Sequence, residues 1–229
     1  SERHEAWSTV ARKIAHEIKN PLTPIQLTID NLRSKYLNNF DKIEKNKFET
    51  NLKIILDQIK QIEQLVNEFS DFARMPKPLL KSNDLVTLFK NNIKLINKLD
   101  NQTKITLLCK KKELIFEFDY EQINRAIFNI IKNSVESIKE KRSKNIDFKG
   151  IINIEIIKRR DYIMIYIEDN GVGFKTNVKN ELIKPYYTTK KNGSGLGLSI
   201  VNKIISDHNG SLKLLNYNNG AKIQLTFNT

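Results

Sequence analysis

Cysteine is almost missing from this chain: Cys109 is the single one among 229 residues. A lone cysteine excludes an intramolecular disulfide, and with only three histidines the chain lacks the donors for a Cys/His metal cage. Long apolar runs are missing as well. No stretch approaches the roughly 20 apolar residues that a bilayer span requires, and the N-terminus lacks the charged-then-apolar pattern of a signal peptide. No membrane contact by this fragment is expected, and any anchor lies outside it. The opening Ser1 to Trp7 enters a helical pattern already under way, so the expectation is the C-terminal part of something longer. Internal repeats are absent. Positive charge is in excess, +13 at pH 7. The lysines are scattered among asparagines, with no basic stripe interleaved with aromatics, which argues against nucleic acid as a partner. The surplus still favours anions such as nucleotide phosphates or an acidic protein surface. With 39% hydrophobic and 28% charged residues, the chain reads as globular, long enough for one large or two modest domains.

From Trp7 the large apolar residues fall at Ala11, Ile14, Ile18, Leu22, Ile25, Ile29, Leu32 and Tyr36, steps of three and four that lay one stripe along a helix. His16 is off the stripe. At about 100° per residue it sits roughly 200° from Ile14 and Ile18, so its imidazole faces water where they bury. Asn20 lies one turn along the same face and Glu17 is the neighbour. A solvated imidazole beside a carboxylate and an amide suits proton and group transfer; a merely solvated helix face has the same local look. Pro21 and Pro24 predict a bend just past His16. A polar loop from Asn38 to Asn46 leads to a second helix with a heptad seam, Leu52, Ile55, Ile59, Ile62, Val66, Phe69 and Ala73. The two helices form a hairpin, each stripe too narrow to bury itself, which predicts dimerisation into a four-helix bundle. The alternative is a monomeric hairpin packed on the rest of the chain.

Met75-Pro76-Lys77-Pro78 stops the second helix and reads as a linker, dividing the chain into 1–78 and 79–229. Beyond it Asp84 caps a helix through Ile96. Ile105 to Leu108 and Leu114 to Phe118 are strands around a lysine turn, and Asp119 opens a helix to about Lys139. Ile151 to Ile157 and Tyr162 to Ile167 form a hairpin, Ser194 to Asp207 a helix, and Ser211 to Leu215 with Ala221 to Phe227 a closing hairpin. This order predicts an α+β two-layer sandwich with a mostly antiparallel sheet.

Three stretches of the second domain share one chemistry. Asn129 and Asn133 lie one turn apart on the long helix, off its buried stripe of Ile123, Ile127, Ile130, Ile131 and Ile138. Their amide oxygens suit a hard cation such as Mg2+. Ile167-Glu168-Asp169-Asn170-Gly171-Val172-Gly173 runs off a strand end, where a fixed carboxylate can accept from a base's exocyclic amine and glycines allow close approach. Gly193-Ser194-Gly195-Leu196-Gly197 enters a helix whose exposed N–H groups suit phosphates, with Lys190 just upstream. No βαβ unit surrounds it, so the dinucleotide-fold reading fails. The long loop from Phe174 to Gly193, with Pro185, Tyr186, Tyr187 and Thr189, has the length of a functional lid.

In order, these stretches resemble the boxes of a bacterial sensor histidine kinase: an H box at His16-Glu17-Ile18-Lys19-Asn20-Pro21, an N box at Asn129-Ile130-Ile131-Lys132-Asn133, a G1 box at Asp169 to Gly173 and a G2 box at Gly193 to Leu198. The wording around His16 is similar to the nitrogen-regulation kinases of the NtrY type. The resemblance implies an all-α hairpin forming a dimeric four-helix bundle, then a Bergerat/GHKL ATP-binding fold. It implies His16 as phosphoacceptor, with Glu17 and Asn20 as catalytic companions. ATP and Mg2+ would be bound through Asn129, Lys132, Asn133 (the metal ligand), Asp169, Gly171, Gly173, Tyr187, Thr189, Lys190, Gly193, Gly195, Leu196 and Gly197. It further implies an NtrX-like response-regulator receiver domain as partner, phosphatase activity toward it, and a full-length protein anchored in the bacterial inner membrane. The F box departs from the family: Ile183-Lys184-Pro185 stands where Phe-Glu-Pro is usual. The same ATP fold serves chaperone and mismatch-repair ATPases, which lack the upstream His-Glu-x-x-Asn-Pro helix. A nucleotide-binding signalling scaffold without catalysis is the other class.

Overall fold

The structure is a computed structural model that describes residues 2–174, 181–184, 195–215 and 217–229. These form two compact units, one ending at Pro76 and one beginning at Lys77. The first is a helical hairpin of α1 (Glu2–Tyr36) and α2 (Lys42–Ala73), joined through a 3-10 turn at Leu37–Asn39. α2 starts earlier than the polar Asn38 to Asn46 stretch suggests, because Asp41 caps it. Its Oδ1 accepts from the N–H of Ile43 at 2.9 Å and of Glu44 at 2.8 Å. α1 remains helical through Pro21 and Pro24.

Every seventh residue makes the hairpin's own seam. Leu22 and Ile29 pack on Leu52 and Ile59, with Phe48 and Leu56 against them. Ala11, Ala15, Val66 and Ala73 extend the line. The other half of each stripe is uncovered. Ile14, Ile18, Ile25 and Leu32 on α1 and Ile55 and Ile62 on α2 are 38% to 44% exposed. This corrects the expectation that Ile14 and Ile18 bury: one antiparallel partner covers only a single line of a helix, and they lie beside it.

The second unit contains β1 (Lys81–Asp84), α3 (Leu85–Leu99), β2 (Thr103–Cys109), β3 (Ile115–Phe118), α4 (Tyr120–Lys144), β4 (Gly150–Lys158), β5 (Tyr162–Asp169), α5 (Gly197–Asp207), β6 (Gly210–Leu215) and β7 (Ala221–Asn228). Among the described residues a five-stranded sheet runs β2-β4-β5-β7-β6, antiparallel except where β2 lies parallel to β4. Strict alternation drives it. Ile152, Ile154 and Ile156, then Ile163, Ile165 and Ile167, then Ile223, Leu225 and Phe227 bury on one face, while Asn153, Glu155, Tyr166 and Glu168 take the other. Leu88, Phe89, Ile127, Ile130, Ile200 and Ile204 of the three helices complete the core, giving two layers.

β2 and β3 do not form a hairpin about the lysine turn. β3 pairs with β1 in a separate two-stranded ribbon, which leaves β2 free to join β4. α4 outlasts the expected Lys139 by a basic last turn, in which Arg142 donates to Gln102 Oε1 at 2.8 Å and pairs with Asp100. Cations there also suit the negative end of the helix.

Asp84 fastens the ribbon to α3. Its Oδ1 accepts from Leu114 N–H at 2.7 Å and Val86 N–H at 3.1 Å, and its Oδ2 from Thr87 N–H at 3.0 Å. Partial burial alone would raise its pKa, but these hydrogen bonds win and hold the carboxyl below the ordinary value. A depressed carboxyl pKa contributes stability above the ordinary carboxylate range and loses it as pH falls through the folded value. Asp84→Ala is therefore expected to cost about 1–2 kcal/mol at neutral pH. In denaturant titrations the gap from wild type should narrow as the pH is lowered towards about 3.

Candidate functional site

In the hairpin unit His16 stands exposed on α1, with Glu17 and Asn20 exposed beside it. Asn20 Nδ2 lies 3.3 Å from His16 Nδ1. The amide of Asn20 can donate to an unprotonated ring nitrogen through its N–H or accept from a protonated one through its oxygen, so this contact can serve either tautomer. Glu17 faces Lys13 at 4.0 Å, a solvated pair one turn apart that holds it weakly. His16 and Asn20 therefore share one wet helix face, as their spacing predicts, and the neighbouring Glu17 is exposed as well.

In the second unit the site gathers around α4. The two-residue period of β5 that buries Ile163, Ile165 and Ile167 carries Asp169 to the same inner face, where it is only 4% exposed. Its Oδ1 accepts from Gly171 N–H at 2.9 Å and Ala221 N–H at 3.3 Å. Burial raises its pKa. The Ser134 hydroxyl, the two N–H groups and the Lys141 charge oppose that effect without cancelling it. The result is a fixed acceptor on the inner face, able to take a hydrogen bond from an exocyclic amine.

The glycines after Asp169 face protein. A Cβ on Gly171 would stand 2.3 Å from Ser137 Oγ, and Gly220, at φ +152°, lets the β6–β7 turn come against the Asp169 carbonyl. Gly173 closes on the same turn. Sequence reading assigned this room to a ligand; the close approach in the structure is backbone to helix and backbone to turn.

Asn129 and Asn133 are half-buried, one turn apart on α4. Lys132 between them is exposed and faces Glu136 at 3.9 Å. Asn133 reaches the start of α5, where a Cβ on Gly197 would lie 3.7 Å from its Nδ2. Leu196 is buried, and as N-cap its side chain makes no hydrogen bond to α5. A leucine in the N-cap position brings no oxygen of its own to the first N–H groups of α5, and a helix N-terminus is the end that favours an anion. Tyr187, Thr189, Lys190 and Gly193 lie outside the described residues, as do Pro185 and Tyr186. Of the departing F box, Ile183 is half-buried beside Leu182, and Lys184 pairs with Glu181 at 2.7 Å. So α4 touches both the carboxylate at the end of β5 and the glycine entry to α5. Among the described residues no group of three His, Cys, Asp or Glu side chains can hold a metal.

Sequence reading passed over Ser134, Ser137 and Lys141. The available signal was positional: they prolong the buried line of Ile127 and Ile130 at steps of three and four, so they turn inward where polar residues must find partners.

Residues 6–78 match the family described as the His Kinase A (phospho-acceptor) domain. Residues 118–229 match the one described as histidine kinase-, DNA gyrase B-, and HSP90-like ATPase. The nitrogen regulation protein NtrY of Azorhizobium caulinodans is 35% identical over 238 residues, covering 99% of this chain and 29% of that protein. The chain spans 29% to 37% of the length of the NtrY-type relatives it matches. Two solved structures share the fold. Histidine kinase ThkA in complex with response regulator protein TrrA superposes with a TM-score of 0.68 at 21% identity, over 99% of this chain and 63% of that one. Full-length ShkA in complex with AMPPNP does so with a TM-score of 0.69 at 17% identity, over 96% and 45%.

A raised carboxyl pKa means that the folded state pays to keep Asp169 ionised at neutral pH, a cost that disappears as pH falls through the folded value. Asp169→Asn keeps an oxygen for both N–H groups and removes the charge. Its melting temperature at neutral pH should equal or exceed that of wild type, with the advantage shrinking towards pH about 4; a marked loss at neutral pH would contradict the account.

Proposed function

We propose, for a chain that belongs to the sensor histidine kinases and carries their phosphoacceptor and ATPase domains in series, that 1–78 is the dimerisation and phosphotransfer domain. Residues 79–229 are then the catalytic ATP-binding domain of an ATP:protein-L-histidine phosphotransferase. The observation that carries this reading is the presence in one chain of a solvent-facing imidazole on a helical hairpin and a buried carboxylate joined by an amide-bearing helix to the glycine entry of α5.

A neutral His16 nitrogen attacks the γ-phosphorus of ATP, the bond to the bridging oxygen breaks, ADP leaves, and the proton on the other ring nitrogen passes to Glu17. Attack through Nε2 requires the ring proton on Nδ1, a form that Asn20 can hold by turning its amide oxygen to the ring. Asp169 accepts from the adenine amine, on a turn shaped by Gly171 and Gly173. Gly195, Leu196 and Gly197 offer backbone N–H groups to the phosphates, with Lys132 supplying charge; Tyr187, Thr189, Lys190 and Gly193, outside the described residues, complete the proposed set of nucleotide contacts.

The donor set fits Mg2+ in a particular way: with no carboxylate cluster described, Asn133 with Asn129 beside it would contribute amide oxygen while phosphates and water supply the rest. Bound there, Mg2+ neutralises phosphate charge, which phosphoryl transfer needs more than covalent help.

A second copy of the hairpin covers the exposed seam of Ile14, Ile18, Ile25, Leu32, Ile55 and Ile62 as a four-helix bundle. The phosphoryl group then passes to an aspartate of a response-regulator receiver domain of the NtrX-like kind, and Asn20 orients the water that later hydrolyses it. The ThkA complex with a response regulator supports the class of partner. No described helix is long and apolar enough to cross a membrane; the inner-membrane anchor belongs to a region outside these residues.

His16→Gln should abolish labelling by γ-32P-ATP while leaving Mg-ADP binding intact; label retained on the variant would place the acceptor elsewhere. Ile18→Glu, in the open seam, should convert a sedimenting dimer to monomer. A wild-type chain that sediments as a monomer at micromolar concentration would remove the bundle.

A further inference from the structure

Ser134, Ser137 and Lys141 share one face of α4, and each reaches the turn that follows β5. The Ser134 hydroxyl bonds the Asp169 carboxylate. Ser137 Oγ accepts from Val172 N–H at 3.0 Å. Lys141 Nζ donates to the carbonyl of Asn170 at 2.8 Å and of Gly171 at 3.2 Å. The aliphatic stem leaves its ammonium 4.7 Å from the centre of the Phe148 ring. From the opposite side the Asn170 side chain is tied to β4, accepting from Ile151 N–H at 2.8 Å and donating to Lys149 carbonyl at 2.9 Å.

A lysine on a helix surface normally keeps its ammonium in water. This one is half-buried and spends its donors on two consecutive main-chain carbonyls. Charge-assisted bonds of this kind are roughly twice as strong as neutral ones. They are made to the residues that immediately follow Asp169, so what they fix is the direction in which the β5 carboxylate is offered.

We infer that Lys141 is a positioning residue for the nucleotide base, clamping with Ser137 the Asn170–Val172 backbone so that Asp169 meets the exocyclic amine of adenine in register. The inference rests on the nucleotide-binding reading above and deepens it. Hydrogen bonds weaken steeply with misalignment, so a loosened turn penalises the base contact and leaves phosphate binding largely alone. The signature is therefore a loss of base discrimination. A role confined to stability would reduce the folded fraction without changing the ratio of affinities.

The test is calorimetric titration of the 229-residue chain with Mg-ADP and with Mg-IDP, whose base has a carbonyl in place of the amine. Wild type should prefer ADP. Lys141→Met should weaken ADP about tenfold while changing IDP less than about twofold, and Lys141→Arg, which can donate to both carbonyls, should recover ADP binding to within about twofold. Equal ADP affinity in wild type and Lys141→Met would overturn the inference, as would a parallel loss for both nucleotides with a lowered melting temperature. Failure of wild type itself to bind Mg-ADP would instead reject the nucleotide reading, and the inference with it.

Discussion

The burial of one carboxylate sets most of the second unit's arrangement. Asp169 sits where the next inward residue of β5 would ordinarily be another isoleucine. A charge there is tolerable only if dipoles surround it. The fold supplies them from three directions: a serine and a lysine from α4, a main-chain N–H from β7, and another from its own turn. Each partner constrains the element that carries it. α4 must lie across the end of β5, the β6–β7 turn must come against it, and the residue after Asp169 must fold back. The same constraints bring Asn133 to the start of α5. A polar defect in the core thereby becomes the reference point for the site.

The hairpin solves the opposite problem. It has enough apolar side chains for two seams and one partner helix to cover them, so half remain open. Exposed seams of this extent mark association surfaces. The exposed imidazole lies on the same helix but on a separate stripe from the open seam, so under the proposed function the hairpins can associate without hiding His16.

Much of this was legible in the residues because it rests on period. The α1 and α2 stripes, the alternation in β4, β5 and β7, and the placement of His16 off its stripe follow from spacing alone. The family motifs then named the chemistry. What stayed hidden depended on partners distant in sequence. Lys81-Ser82-Asn83-Asp84 has no strand-forming side chains; it is extended because β3 pairs with it. That pairing took β3 away from β2, which no local signal announces. For Ser137 and Lys141 spacing tells that they turn inward, but nothing local tells that the β5 turn descends onto them. The missing half of the seam burial had a similar cause, because a stripe shows which residues need cover and not how much of it one chain provides.

The parallel seating of β2 against β4 has a further consequence for how the domain comes into being. Thr103–Cys109 meets Gly150–Ile156 in register, and between them the chain must complete β3 and the whole of α4. Such a pairing closes a long loop before any contact rewards it, and loop closure of this kind slows folding relative to the neighbouring hairpins. The helix that carries both asparagines and the lysine clamp lies inside that loop. The sheet edge and the helix that organises the site are consequently threaded on one closure, so maturation of the domain core and maturation of the site are coupled kinetically as well as structurally.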